Sequence, residues 1–294
     1  MAETLNPKVL VKIDALRNDR LHGAGWLSRQ AIRILSLATK ESQANTVADF
    51  IDEIKMVAAE LIKVKPSMTP IPNYINQLLH QIVLETQKEK SLGSLKIFSK
   101  AKGYELIKSS EEAVSRAAEY GGGIIGDSDT VITCSYSSTV CKAFELAKQK
   151  GKEFHVTIAE SRYKGNAYGA IAAKQLKLQQ IPVEVIPDEL IDLHISKADK
   201  ALVGADSILA DGSLVNGTPT RTLAQATKEK GIPFYTVCET AKFDVQGCIA
   251  KTSKPEPGLD KTSPNSITGI ITEKGILQPS LIIAYVEEMA RFSR

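Results

Sequence analysis

A chain of 294 residues with 43% hydrophobic content is long enough for one large or two ordinary domains around a substantial core. Lys and Arg total 37 against 34 Asp and Glu, and the net charge of +3 is far from that of a dedicated nucleic-acid binder; 5% aromatic content with one Trp also argues against a base-stacking platform. No apolar run approaches the ~20 residues of a membrane helix, because the best candidate, Ile267 to Ile271, is interrupted by Thr268 and Gly269. From about Lys8 to Ala118 the spacing is helical, with Ile32, Leu35 and Leu37 marking one helix and Val47, Phe50, Ile51, Ile54, Val57, Ala58 and Leu61 the next. Three prolines between Lys65 and Pro72 break the pattern. A further helix is predicted from Tyr74 to about Glu89, and Leu92 to Arg116 is helix-compatible, with Gly93 and Gly103 blurring its ends.

After Gly121-Gly122-Gly123, short β-rich runs alternate with helical ones: Thr130 to Cys134, His155 to Ala159, Val183 to Ile186, Ala201 to Val203 and Pro233 to Val237. Ser138 to Lys150 and Tyr168 to Leu178 have the length of crossover helices, so a parallel sheet covered on both faces is predicted. The expected organisation is α/β, with a helical domain over 1–118 and a sheet domain over 119–294 carrying most of the active site. The Gly triplet precedes a strand, so it lacks the strand, GxGxxG, helix order of a dinucleotide fingerprint.

In a parallel sheet the strand ends share one edge, and here they carry chemistry. Thr130 to Cys134 runs into Ser135, Tyr136, Ser137 and a helix start, a place where hydroxyls and N–H groups suit a phosphate. The next end, Glu160 to Gly165, contributes Arg162 and Lys164; Gly204-Ala205-Asp206 sets a carboxylate after a core strand; Cys238 to Phe243 adds Lys242. Convergence of Cys134, Arg162, Asp206 and Lys242 suggests acid–base chemistry on a phosphorylated substrate. Each has a plainer alternative: Cys134 as a small core residue, Asp206 as a turn cap, Arg162 and Lys242 as solvated charges, and Asn216 with Gly217 as a turn. His80, His155 and His194 have no ligand spacing, and Cys134, Cys141, Cys238 and Cys248 show no CxxC or Cys/His pattern, so no metal and no cofactor are expected. The N-terminus lacks the charged and apolar blocks of a secretory signal, which points to reduced thiols in a cytoplasm. Asp19 to Gly25, ahead of the helical Trp26 to Leu35, is either an anion-binding helix entry or a simple N-cap.

The motifs DRLHGAG, CSYSST, ESRYKG, GADSILADGSLVN, IPFYTVCETAKF and ITGIITEKGILQPSLI, in that order along nearly the whole chain, resemble the family uniting the regulatory subunits of translation initiation factor 2B with the isomerases of ribose-1,5-bisphosphate and 5-methylthioribose-1-phosphate. The resemblance implies a helical N-terminal domain followed by a Rossmann-like domain, and a homo-oligomer, dimer or hexamer, with no membrane or direct nucleic-acid partner. It further implies an aldose–ketose isomerase with Asp206 as general acid and Cys134 as base at C2. The thiolate is expected to be favoured by the helix N-terminus and by Arg162. Arg20, Gly23, Ala24, Ser135, Ser137, Arg162, Asn216, Arg221 and Lys242 are implied to hold the phosphorylated sugar or nucleotide. Two departures stand out. Gly217 occupies the place of a customary ligand-binding Lys, with Arg221 the nearest replacement, and His22 stands where the isomerases carry Arg, with Arg20 or Arg29 as substitutes. A non-catalytic subunit that binds a nucleotide or sugar phosphate and a protein partner is the alternative.

Overall fold

The computed structural model describes residues 5–88, 90–245, 247 and 256–291; Glu89 and Cys248 lie outside them. Two units divide the chain, Met1–Glu111 with Met289–Arg294 and Glu112–Glu288. In the first, α1 (Pro7–Asn18), α2 (Ala24–Glu41), α3 (Val47–Ile62) and α4 (Pro70–Thr86) form the element order expected of a helical region. Leu27, Ile32, Leu35, Phe50, Ile54, Leu61, Ile71 and Ile75 are fully buried. Leu37, two positions beyond Leu35, falls off that stripe and is half-buried. Helix α4 starts four residues before the predicted Tyr74, because Pro70 stands at the first helical position and Pro72 in the first turn. A missing N–H costs nothing there.

Helix α5 (Leu92–Gly123) runs unbroken through Gly93 and Gly103 and takes in the glycine triplet expected to end the helical half. The triplet is a packing surface. A Cβ on Gly122 would stand 2.7 Å from the Ala143 carbonyl oxygen, and one on Gly121 would stand 3.1 Å from the Ala143 Cβ. The carbonyls at and just beyond the end of α5 are capped by cations: Lys152 Nζ donates to Gly122 O at 3.1 Å, to Gly123 O at 3.2 Å and to Ile125 O. Lys200 Nζ donates to Ile124 O at 2.9 Å and pairs with Asp129.

The second unit alternates as predicted: β1 (Thr130–Cys134), α6 (Ser138–Gln149), β2 (His155–Ala159), the short hairpin β3 (Arg162–Tyr163) and β4 (Asn166–Ala167), α7 (Tyr168–Leu178), β5 (Val183–Ile186), the single turn α8 (Ile191–His194), β6 (Lys200–Val203), β7 (Ser207–Ile208), β8 (Leu214–Gly217), α9 (Thr220–Lys230), β9 (Phe234–Val237), β10 (Leu259–Thr262), β11 (Gly269–Thr272), β12 (Gly275–Leu277) and α10 (Ile282–Arg291). The seven-stranded sheet runs β12-β11-β9-β6-β1-β2-β5, parallel except for β12. Val131, Val156, Ile158 and Leu202 from its strands pack with Phe144, Ala147, Ala173 and Leu176 from the helices. Strand β5 departs from the doubly buried pattern predicted for every strand, since it is an edge on which Glu184 and Val185 are exposed. Sequence periodicity also missed β11 with β12 and the antiparallel sheet β10-β8-β7, all strands of two to four residues.

From β1 the chain steps outward to β2 and β5, then returns to β6 on the other side of β1 and continues to β9 and β11. The order therefore reverses between β1 and β6, and open α/β sheets present a crevice at the C-terminal ends of the strands flanking such a reversal.

Two stability measurements probe this frame. A Cβ on Gly169, at the start of α7, would lie 2.2 Å from the Ala159 carbonyl oxygen at the end of β2. Gly169→Ala is expected to lower the unfolding free energy by about 1–3 kcal/mol, and an unchanged denaturant midpoint would show that α7 and β2 are not in close contact. Lys152→Met removes the cap on α5 and is expected to cost about 1–2 kcal/mol, read as a lower melting temperature.

Candidate active site

Cys134 ends β1, and Asp206 stands three residues beyond Val203, the last residue of β6, so both follow from the two strands that flank the reversal. Their surroundings join through the small sheet. The Asp206 N–H donates to Val215 O at 2.9 Å, and β7 then pairs with β8 from Ser207↔Val215 onward. Across β8, Asn216 pairs with Asp260 of β10. Asn216 is 7% exposed, and its Nδ2 donates to Thr220 Oγ1 at 2.9 Å, while Cys134 Sγ lies 3.3 Å from that same oxygen. Thr220 opens α9 and is fully buried.

Two glycines let the strand-end loops close on one another. A Cβ on Gly204 would fall 2.5 Å from Ser137 Oγ, and a Cβ on Gly217 would fall 2.6 Å from Ser135 Oγ. The position that carries Lys in the resembled motif is thus packed by a serine hydroxyl in this chain. Ser135 has φ +61°, and its N–H donates to Ser161 Oγ at 2.6 Å. Ser161 has φ +55° and is held by Asp188, whose carboxylate accepts from the N–H groups of Ser161 at 2.7 Å and Arg162 at 3.2 Å. Ser137 caps α6 by accepting from the Val140 N–H at 3.3 Å.

The electrostatics differ from the expectation at Cys134. Burial pushes its thiol up to about 12; the Thr220 hydroxyl opposes that rise, and the carboxylates of Asp260 and Asp188 add to it. Arg162 does not hold a thiolate here, because its exposed guanidinium grips Glu160 through Nε at 2.6 Å and Nη2 at 2.9 Å. Burial likewise raises the thiols of Cys141 and Cys238.

The remaining expected cations are distributed unevenly. Lys242 is 5% exposed and its Nζ donates to Ala205 O, one residue before Asp206, so it brings charge to the β6 end. Arg221 is exposed on α9, with its backbone N–H donating to Asp260 Oδ2 at 3.0 Å. In the first unit Arg20 is exposed and donates to the carbonyls of Arg17 and Asp19. Gly23 caps α2 without a side-chain bond, and Ala24 is buried behind it. The His22 ring stacks on Trp26 at 3.7 Å and bonds Asp19 Oδ2 at 2.8 Å. Burial raises the Asp19 carboxyl, but the N–H groups of His22 and Leu21 and the His22 ring outweigh it and leave the group below its usual range.

Sequence reasoning missed Thr220, Asp260, Asp188 and Glu239. The first three are common turn and cap residues whose role depends on what the fold brings beside them. Glu239, after β9, is fully buried, and neither of its carboxylate oxygens has a hydrogen-bond partner among the described residues. The described residues contain no cluster of metal-ligating side chains, and no described helix is long and apolar enough to cross a membrane.

Comparison with known proteins gives this geometry a lineage. The ribose 1,5-bisphosphate isomerase of Thermococcus kodakarensis is 28% identical over 305 aligned positions, covering 96% of this chain and 94% of that protein. A putative translation initiation factor eIF-2B subunit 2-like protein of Pyrococcus furiosus is 32% identical, covering 93% and 98%. The crystal structure of the Pyrococcus horikoshii OT3 translation initiation factor eIF-2B superposes with a TM-score of 0.80 at 30% identity, over 95% of this chain and 100% of that one. The sequence profile described as the Initiation factor 2 subunit family matches residues 20–256, and the chain belongs to that family.

Proposed function

We propose that this protein is a sugar-phosphate isomerase that converts a C1-phosphorylated aldose to its ketose, with ribose 1,5-bisphosphate giving ribulose 1,5-bisphosphate. The observation that carries the proposal is the placement of Cys134 and Asp206 at the ends of the two strands where the sheet order reverses. A phosphate ester at C1 locks the sugar ring. Opening it requires a proton at the ring oxygen, and isomerisation then requires removal of the C2 proton, so two groups must share a mobile proton across one crevice. Cys134 and Asp206 are the thiol and carboxyl suited to that exchange. Around them, Ser135, Ser137, Asn216 and the buried Lys242 supply donors for phosphate and hydroxyl oxygens. Among the relatives at similar identity, the Thermococcus kodakarensis protein carries the isomerase name. The assembly proposed is a cytoplasmic homo-oligomer.

A second reading, a non-catalytic subunit that binds a nucleotide or sugar phosphate, is favoured by Gly217, whose site offers a serine hydroxyl where the isomerase motif offers Lys.

Incubation with ribose 1,5-bisphosphate is expected to give a ketone carbon signal by NMR. Cys134→Ala and Asp206→Asn should each lower kcat by ~100- to 10,000-fold and leave calorimetric binding of the sugar phosphate measurable. Full activity in both variants would put the chemistry elsewhere, and tight AMP binding with no ketose formed would favour the second reading.

A further inference from the structure

Ser135 and Ser161, which follow β1 and β2, both carry a left-handed backbone, with φ +61° and +55°. A residue other than glycine keeps that conformation only where its surroundings hold it there. Ser161 is 1% exposed, and each of its polar groups is engaged. Ala159 O can only accept and the Ser135 N–H can only donate, so the Ser161 hydroxyl gives its hydrogen to the first at 3.2 Å and accepts from the second at 2.6 Å. The Ser161 carbonyl accepts from the Tyr168 N–H at 3.4 Å, and the Ser161 N–H donates to Asp188 Oδ1 at 2.7 Å. Asp188 stands two positions beyond β5 and takes the Arg162 N–H on its other oxygen at 3.2 Å. One carboxylate thus grips the turn after β2, and that turn grips the residue after Cys134.

A carboxylate is an unexpected neighbour for an anion site. Its charge opposes negative charge at Cys134, and it opposes in the same sense a phosphate bound by the turn that Ser135 opens. We infer that Asp188 is a positioning residue: acting through Ser161, it holds Ser135 and the turn behind it in the shape that binds the phosphate of the substrate, and this geometry outweighs the repulsion of its charge. The inference rests on the sugar-phosphate reading above.

Without Asp188 the buried Ser161 N–H loses its acceptor, and nothing keeps Ser161 left-handed. Its hydroxyl then leaves the Ser135 N–H, and Ser135 Oγ leaves the space that Gly217 keeps open for it. Cys134 is anchored separately, since β1 pairs it with Ala159 of β2. Loss of Asp188 therefore falls on binding more than on turnover. The two effects of the carboxylate also differ in sign. Asp188→Asn removes the charge, keeps the size and one acceptor oxygen, and turns an amide NH2 toward one of the two N–H donors. Were charge the whole effect, phosphate would bind more tightly to that variant; a positioning role makes it bind more weakly. Ser161→Ala leaves Asp188 and both of its N–H bonds in place and removes only the hydroxyl that reaches Ser135.

Calorimetric titration with ribose 1,5-bisphosphate, and with inorganic phosphate as a smaller probe, tests the inference. Asp188→Asn is expected to weaken binding about 10- to 100-fold, and Ser161→Ala about 10-fold. Both act through one chain of bonds, so the double variant should lose no more than Asp188→Asn alone, whereas independent effects would multiply. In the turnover assay KM should rise with the dissociation constant while kcat stays within about 3-fold of wild type. Tightened or unchanged binding in Asp188→Asn, multiplied losses in the double variant, or a loss carried by kcat at unchanged KM would each overturn the inference. If circular dichroism shows that Asp188→Asn does not fold, Ser161→Ala decides alone: the 10-fold loss supports the inference, and wild-type affinity overturns it. Wild type that binds neither ligand overturns it as well, because there is then no anion turn for Asp188 to hold. Wild type that binds ribose 1,5-bisphosphate yet forms no ketose refutes the isomerase reading, and the affinity losses still decide the role of Asp188.

Discussion

The parallel pairing of β1 with β6 is the constraint on which the candidate site depends. Val131 and Ile132 pair with Lys200 and Ala201, so the two strands end near one another even though the chain visits β2 and β5 between them. Once these strands are paired, Cys134 and the Gly204-Ala205-Asp206 turn must emerge at the same edge. The loops that leave them can approach because Gly204 and Gly217 carry no side chain where the hydroxyls of Ser137 and Ser135 sit. Substituting Gly217 would press on Ser135, next to Cys134, and substituting Gly204 would press on Ser137, the cap of α6.

The site combines a buried interior with a few well-used polar groups. Cys134 is 2% exposed, Thr220 is fully enclosed and Asn216 nearly so, and their hydrogen bonds are made to one another and to the β8 backbone. Burial alone makes a thiolate expensive, and a hydroxyl already committed to a carbonyl cannot relieve that cost without turning. The absence of Arg162 from this neighbourhood follows from local geometry. Asp188 fixes the backbone of Ser161 and Arg162, and the guanidinium then meets Glu160 two residues back.

Much of the fold was legible in the amino-acid sequence because apolar runs of four or five residues between helical segments leave few arrangements other than a parallel sheet. Thr130 to Cys134 and His155 to Ala159 are strands with the predicted bounds. The errors have physical causes. Glycines inside α5 resembled breaks because their packing partners, such as Ala143, are remote in sequence. The proline cluster gave no hint that Pro70 would start a helix, since proline marks a boundary without saying on which side the helix lies. At the site, Cys134 and Asp206 could be singled out because reactive side chains at the ends of apolar strands are chemically conspicuous. Thr220 could not. A threonine at a helix start is ordinary, and its importance here comes from Cys134, 86 positions earlier in the chain.

Strand β5, where the sheet stops, carries one more consequence. Its four residues lie between Pro182 and Pro187, neither of which has an N–H to offer, and Glu184 stands exposed in the middle. A strand from another molecule laid along this border would find a short run of partners and a charge beside it. Growth of the sheet from one molecule into the next is therefore discouraged at β5, and the chain can be crowded in solution without that border seeding fibres.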